Sequence, residues 1–306
     1  MPSPSAETAQ RELLDALVKV GLLIPSGVAG VYGRSGAFED VVERIDACVT
    51  RLCADDGVER IRFPPVVTRR NFERSEYLKS FPDLAGVIHA FRGSDRDHAA
   101  LLAQAEAGED WSAGLPHADL VMTPAACYPL YPMCTGTLPP GGRRFDVLSW
   151  CFRHEPSIDP ARMQLFRMHE NVRVGEPADV LAFRAVWQER GVALLRSLGL
   201  PCHVDAANDP FFGRTGKMLA MNQRDQGLKF ELLVPIASAE QPTACVSFNY
   251  HQDHFGHLFD IRLADGRTAH TACVGFGLER TALALFKTHG LDVGGWPGTV
   301  RQVLGL

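Results

Sequence analysis

The sequence predicts an α+β fold, an antiparallel sheet flanked by helices, and three observations carry that prediction. Strand-like segments crowd into the second half of the chain. Hairpin turns, rather than regularly alternating crossover helices, separate them. Helical periodicity is confined to a few well-bounded stretches. The composition, 46% apolar and 22% charged over 306 residues, is that of an ordinary globular protein. No repeat, low-complexity run or long linker divides the chain, so residues 1–306 are expected to form a single domain.

The elements follow in order. Over residues 36–56, Phe38, Val41, Val42, Ile45, Cys48, Val49, Leu52 and Cys53 recur at three and four, with Gly57 placed as a left-handed cap. Arg60-Ile61-Arg62-Phe63 alternates as a strand and stops at Pro64-Pro65, which cannot continue a central ladder. Ser94 with Asp97 forms a capping box for a helix to about Ala107. Residues 145–155 and 162–174 read as strands, joined by the turn-rich Pro156-Ser157-Ile158-Asp159-Pro160. A helix over 177–198 ends at Gly199. Strands are predicted near 228–236, 243–250 and 259–263, then 268–275 after the Asp265-Gly266 turn, and a last helix opens at about Gly277.

Charge and composition narrow the function classes. Thirty-one Lys and Arg against 36 Asp and Glu give a net charge of −5, so nothing draws the whole molecule to nucleic acid or an anionic membrane. The N-terminus lacks a basic region followed by an apolar core. No uncharged stretch approaches the ~20 apolar residues of a membrane span, and Lys19 interrupts the best candidate. Eight cysteines without a CxxC pair are too sparse for a disulfide scaffold, and the chain reads as cytoplasmic with reduced thiols, some available to a metal. Gly213-Arg214-Thr215-Gly216-Lys217-Met218 fails the phosphate-loop spacing, Arg280 stands where a dinucleotide fingerprint needs its third glycine, and neither HExxH nor GxSxG occurs.

What remains is a strand pair dense in charge. Phe152-Arg153-His154-Glu155 precedes the turn, and Arg162-Met163-Gln164-Leu165-Phe166-Arg167-Met168-His169-Glu170 follows it. With period two, Arg153 and Glu155 share a face, as do Phe166, Met168 and Glu170, whereas His154 and His169 point away. An arginine, a carboxylate and an aromatic ring on one surface can hold a phosphate, an amine and a flat base.

Together with Gly275-Phe276-Gly277-Leu278-Glu279-Arg280 at a strand–helix junction, these segments resemble class II aminoacyl-tRNA synthetases, whose motifs 2 and 3 they match. The 36–56 helix and the strand closing on Pro64-Pro65 are similar to motif 1. Within that family, Cys127, Glu170 and Cys273 match the zinc-binding triad of the atypical, archaeal-type seryl enzymes, with Cys134 the rival for Cys127. The length resembles their stand-alone relatives, the amino acid:carrier-protein ligases, and leaves no room for ~100 residues of appended tRNA-binding domain. The resemblance implies one zinc ion per chain with an open position for a substrate amine. It implies ATP with magnesium, and a small amino acid, glycine or alanine before serine. It further implies a homodimer, no tRNA, and transfer to the phosphopantetheine thiol of a small acidic carrier protein. A seryl-type tRNA synthetase and a non-catalytic regulatory paralogue are the alternatives.

By the same resemblance Arg153 holds the α-phosphate and substrate carboxylate, and Arg280 reaches the γ-phosphate. Glu155 accepts from the adenine amino group; Arg162 reaches the outer phosphates, with Met163 beside the nucleotide. Glu231 binds magnesium or ATP, while Ala244, Cys245, Val246, Ser247 and Asn249 line the nucleotide and amino-acid pocket. The adenine-stacking phenylalanine of ordinary seryl enzymes is absent, so Phe166 or Phe248 is expected to stack. The basic, glycine-interrupted stretch in an insertion at about 207–227 is the expected landing site for the carrier.

Overall fold

The computed structural model describes residues 5–54 and 56–306, apart from the side chains of Arg214, Thr215 and Leu219; the first four residues of the segment read for a leader lie outside. At its centre, β1 (Glu59–Arg62), β2 (Arg143–Phe152), β3 (Leu165–Gly175), β4 (His203–Ala206), β5 (Lys229–Val234), β6 (Thr243–Gln252) and β7 (His270–Gly277) form a seven-stranded sheet in the order β4-β5-β6-β7-β3-β2-β1. All neighbours are antiparallel except the edge strand β1, which runs parallel to β2.

Three helices pack on one face of this sheet: α2 (Gly36–Leu52), α3 (Pro177–Ser197) and α5 (Leu278–His289), with α1 (Ala6–Lys19) joining the same core. The Ser35 hydroxyl accepts the Phe38 N–H and starts α2, and the predicted stripe of Phe38, Val41, Val42, Ile45 and Val49 is fully buried. Phe38 stacks on Phe286 of α5 at 5.6 Å, and Trp187 of α3 meets Phe276 of β7 edge-on at 6.1 Å. Truncating a buried phenylalanine of this kind costs ~3–5 kcal/mol. A hydrophilic tie joins the same layers: His169 Nδ1 lies 2.6 Å from Asp46 of α2, and Nε2 lies 3.1 Å from Asp146 of β2.

Several predicted boundaries move. α2 ends at Leu52 with Cys53 as its cap, so Gly57, with φ of +65°, serves the turn before β1. The strand predicted over 145–155 stops at Phe152, because the Glu155 N–H donates to the Arg153 carbonyl at 2.8 Å and turns the chain. Of 259–263, only Ile261–Arg262 is strand, and it pairs in parallel with Gly136–Thr137 outside the central sheet. The basic, glycine-interrupted stretch expected to receive the carrier contains a helix, α4 (Gly213–Asp225). The helix Asp95–Glu106 forms as predicted, the Asp97 carboxylate accepting from the Ser94 N–H and hydroxyl. Among the described residues no helix is long and apolar enough to cross a membrane.

Candidate active site

The free face of the sheet builds the site. Partners across antiparallel strands share a face, so the register sets two polar rows side by side: Lys229, Asn249 and Cys273 in one, Glu231, Ser247, Gly275 and Glu170 in the other. Gly275 keeps this floor open, since a Cβ there would come within 3.0 Å of the Met168 methyl and 3.3 Å of the Ser247 hydroxyl. Above the floor lies a cavity of about 690 Å³, whose lining includes Tyr77, Phe81, Asp209 and Phe211.

At one part of the cavity Cys127, Glu170 and Cys273 converge, their ligand atoms all within 4.8 Å of one another. Each comes from a different segment: Cys127 from the turns before β2, Glu170 from β3 and Cys273 from β7. One Glu170 oxygen accepts the Ala126 N–H at 2.7 Å, while Oε2 is buried without a partner. Burial pushes the Glu170 carboxyl above its ordinary range and the Cys127 thiol well above its own. Glu170, buried with no ion-pair partner among the described residues, together with two buried thiols suits a divalent cation, and two thiolates with a carboxylate suit zinc. Cys134 lies elsewhere, buried 3.9 Å from the Arg143 guanidinium.

Arg153 and Arg280 also line the cavity. Arg153 donates from Nε to the Pro124 carbonyl at 3.1 Å and lies over the Phe166 ring at 5.5 Å. Arg280 is fixed by the carbonyls of Ala161 and Ala244 at 2.8 and 3.1 Å. Neither forms an ion pair with a carboxylate among the described residues, and burial with the neighbouring Arg153 pulls Arg280 below the ordinary guanidinium range. A half-buried arginine anchored by carbonyls, with the Met168 sulfur 4.0 Å from one Arg153 Nη, keeps its remaining donors and its charge for an anion.

The other expected residues divide. Glu231, Ala244, Cys245, Val246, Ser247 and Asn249 all line the cavity; Glu231 also pairs with Lys229 at 3.0 Å, and Asn249 donates to the Cys273 sulfur at 3.4 Å. Glu155 and Arg162 do not line it. They form a 3.0 Å ion pair outside, because the tight turn at Arg153 ends the strand alternation that the same-face reading needed. Met163 is buried, its sulfur accepting from Arg34 at 3.3 Å, and it does not line the cavity itself but a small adjoining pocket with Phe166, Gly277 and Arg280. Phe248 is on the helix-covered face and fully buried, which removes it as a stacking ring; Phe166 lines the cavity.

Other residues at the cavity escaped the sequence reading. Lys229 reaches Asp209 at 2.6 Å, and Gln223 of α4 donates to the same carboxylate at 2.7 Å, which pins the insertion over the cavity. Phe211 stacks on Phe81 at 5.2 Å. Tyr128, His251 and His254 complete the wall, and burial pushes His251 down to about 3, leaving it neutral. The Ser247, Asn249, His251 alternation on β6 was the one available signal, since nothing local marks Asp209 or Phe211.

Comparisons with known proteins bear on this arrangement. No family model matches the chain. Amino acid–[acyl-carrier-protein] ligases 1 and 2 of Bradyrhizobium diazoefficiens are 51% and 52% identical over 282 residues, which is 92% of this chain and 86% and 84% of theirs. A type-2 serine–tRNA ligase of Methanopyrus kandleri is 26% identical over 84% of this chain and 53% of its own. Among solved structures, the M. kandleri seryl-tRNA synthetase bound to A. aeolicus tRNASec gives a TM-score of 0.81 at 22% identity, over 95% of this chain and 60% of that one. The Pyrococcus horikoshii seryl-tRNA synthetase complexed with ATP gives 0.68 at 17% identity, over 100% and 64%. These last two establish a shared class II catalytic fold.

Proposed function

The chain belongs to the amino acid–[acyl-carrier-protein] ligase family and is a ligase; from that premise we propose that it activates glycine or alanine with ATP and Mg2+ and passes the aminoacyl group to the phosphopantetheine thiol of a small acidic carrier protein. One observation supports this reading above the others: two arginines without carboxylate partners share a cavity with a buried thiol–carboxylate–thiol cluster.

In the first step a carboxylate oxygen of the amino acid attacks the α-phosphorus of ATP, and diphosphate leaves. Charge grows on the α-phosphate oxygens. Arg153, positioned beforehand by the Pro124 carbonyl, meets that charge without reorganising, and Arg280 holds the γ-phosphate from its two carbonyl anchors. Phe166 offers a flat face for the base. Glu155 and Arg162 are joined by one Nη1–Oε2 contact, which leaves Glu155 Oε1 and the other Arg162 donors for nucleotide. Glu231, already shared with Lys229, keeps lone pairs for magnesium. Cys127, Glu170 and Cys273 would hold zinc, which supplies a Lewis-acidic position for the uncharged substrate amine. In the second step the carrier thiol attacks the activated carbonyl and AMP leaves, giving a thioester; a thiolate is strongly nucleophilic even at a small equilibrium fraction.

Amino-acid-dependent pyrophosphate exchange over a panel of small amino acids, with and without chelator, tests the first step. Exchange with glycine or alanine that chelator abolishes is expected, with serine the next substrate in line. Transfer assays against carrier protein and against tRNA test the second. Charging of tRNA with no carrier accepting would replace this reading with a seryl-type synthetase, and absence of exchange with every amino acid would replace it with a regulatory paralogue.

A further inference from the structure

We infer that His251, oriented by Thr271, is a positioning residue that holds the Cys273 thiolate for the metal. The inference rests on the reading of Cys127, Glu170 and Cys273 as zinc ligands and adds to it a residue beyond the ligand set.

The backbone brings the ring there. β6 pairs regularly with β7 up to Tyr250, which lies opposite Ala272; the register then slips, and Gln252 lies opposite Thr271. His251 is the extra residue of this bulge, and Gln252 takes a positive φ of 54°, rare for a side chain of its kind. Bulges of one residue bend a strand and re-aim a side chain, and they gather beside active sites. Here the re-aimed imidazole reaches across to β7. Its Nε2 lies 3.6 Å from the Cys273 sulfur, and its Nδ1 lies 2.9 Å from the Thr271 hydroxyl. One ring therefore spans two residues of β7 that share a face.

Chemistry fixes the roles of the two nitrogens. A metal-bound cysteine is a thiolate, which can only accept hydrogen bonds, so Nε2 carries the proton and donates. Nδ1 is then the acceptor, and Thr271 supplies its hydroxyl proton. Phe255 meets the ring edge-on at 5.0 Å and Tyr131 at 6.3 Å, which packs the imidazole in this orientation. His251 lies outside the cluster whose ligand atoms come within 4.8 Å of one another, so it serves as a partner to a ligand rather than as a fourth ligand. Asn249 gives the same sulfur a second N–H at 3.4 Å. Donors to a ligating atom fix its direction and tune its basicity, and their removal typically lowers metal affinity by about 10–100-fold.

The experiment compares the full-length protein with His251→Phe, Thr271→Val and His251→Gln. Phenylalanine retains a ring among Tyr131 and Phe255 but carries no donor, valine removes the Thr271 hydroxyl, and glutamine restores a side-chain N–H. Zinc affinity is measured by competition with a chromogenic chelator, and the cobalt-substituted proteins are compared by their thiolate-to-cobalt charge-transfer band. His251→Phe is expected to lose about 10–100-fold in affinity and to shift the band to lower energy, Thr271→Val to lose less, and His251→Gln to recover most of the loss. If His251→Phe is unfolded by circular dichroism, Thr271→Val against His251→Gln carries the comparison. Affinities and bands within twofold of the unsubstituted protein would overturn the role of His251 while leaving the metal reading intact. An unsubstituted protein that binds no zinc would overturn both.

Discussion

Arg153 and Arg280 hold their charge in different ways, and the difference predicts different kinetics. Arg153 is anchored through Nε to the Pro124 carbonyl, with one Nη 4.0 Å from the Met168 sulfur; on the proposed mechanism its remaining donors meet charge that develops only as the α-phosphate is attacked. Arg153→Ala should lower the rate of pyrophosphate exchange by about 10²–10³-fold, the usual cost of a lost donor to developing charge. On the proposed mechanism Arg280 holds the γ-phosphate and acts through ground-state binding, so Arg280→Ala should raise the KM for ATP more than it lowers kcat. Near-native exchange in both variants would contradict the assignment. At the cluster, Cys273→Ser should lose zinc and activation while circular dichroism stays unchanged, because the cysteine lies in a cavity wall rather than at the centre of the helix-covered core. Glu170 and Cys273 could be picked out in the sequence because one stands in a recognisable motif and the other just before one, whereas Cys127 came from the family resemblance alone, with Cys134 as its rival. Asp209 and Lys229 were not legible, because each acquires its place from a long-range contact, an insertion folding back and a buried pair; the β6 alternation pointed at His251, but the bulge beside it was not legible.

Helices with a periodic stripe or a capping signal that was read form as predicted, whereas α1, amphipathic through Leu13 and Leu17, was not anticipated. The stripe from Phe38 to Val49 announced α2, and Ser94 with Asp97 announced the helix Asp95–Glu106. α4 carried no such signal: its glycines interrupt any stripe, and Met218 and Met221 face outward rather than being buried. What holds α4 in place is polar, the Gln223 amide on Asp209. The resulting surface bears exposed Phe212, Met218 and Met221 beside exposed Lys217, while the side chain of Arg214 lies outside the described residues. If this helix receives the acidic carrier, reversing Arg214 and Lys217 to Glu should raise the carrier's KM, more steeply at low ionic strength where charges act farthest. Pyrophosphate exchange should be unaffected. An unchanged KM across salt would place docking on another surface.

Over the whole molecule, assembly and pH dependence follow from how the layers are tied. β1 is an edge strand paired only with β2, and its Glu59, Arg60 and Arg62 are exposed, whereas the apolar stripe of α2 is consumed within the chain against α5. A two-fold dimer should therefore use the β1 edge and the polar outer side of α2, and sedimentation at micromolar concentration should give a dimer; a monomer would refute it. The pH dependence comes from the His169 tie between α2 and the sheet. Burial would push His169 down, but Asp146 and Asp46 outweigh it and raise it above its ordinary value of 6.5. Burial likewise opposes the charged form of Asp146, and His169 with Arg62 outweighs it and holds that carboxylate well below the usual range. A raised histidine contributes stability that is complete below its unfolded value and is lost as pH rises through its folded value. A depressed aspartate contributes stability present above its unfolded value of 3.8 and lost as pH falls through its folded one. The tie is thus complete between about 4 and about 6.5, and Tm should fall on the alkaline side as His169 deprotonates. His169→Gln should lower Tm near pH 6 and flatten that alkaline decline, because the glutamine has no proton to lose. Calorimetric curves for the two proteins that run parallel from pH 6 to pH 9 would show that the tie is not the source.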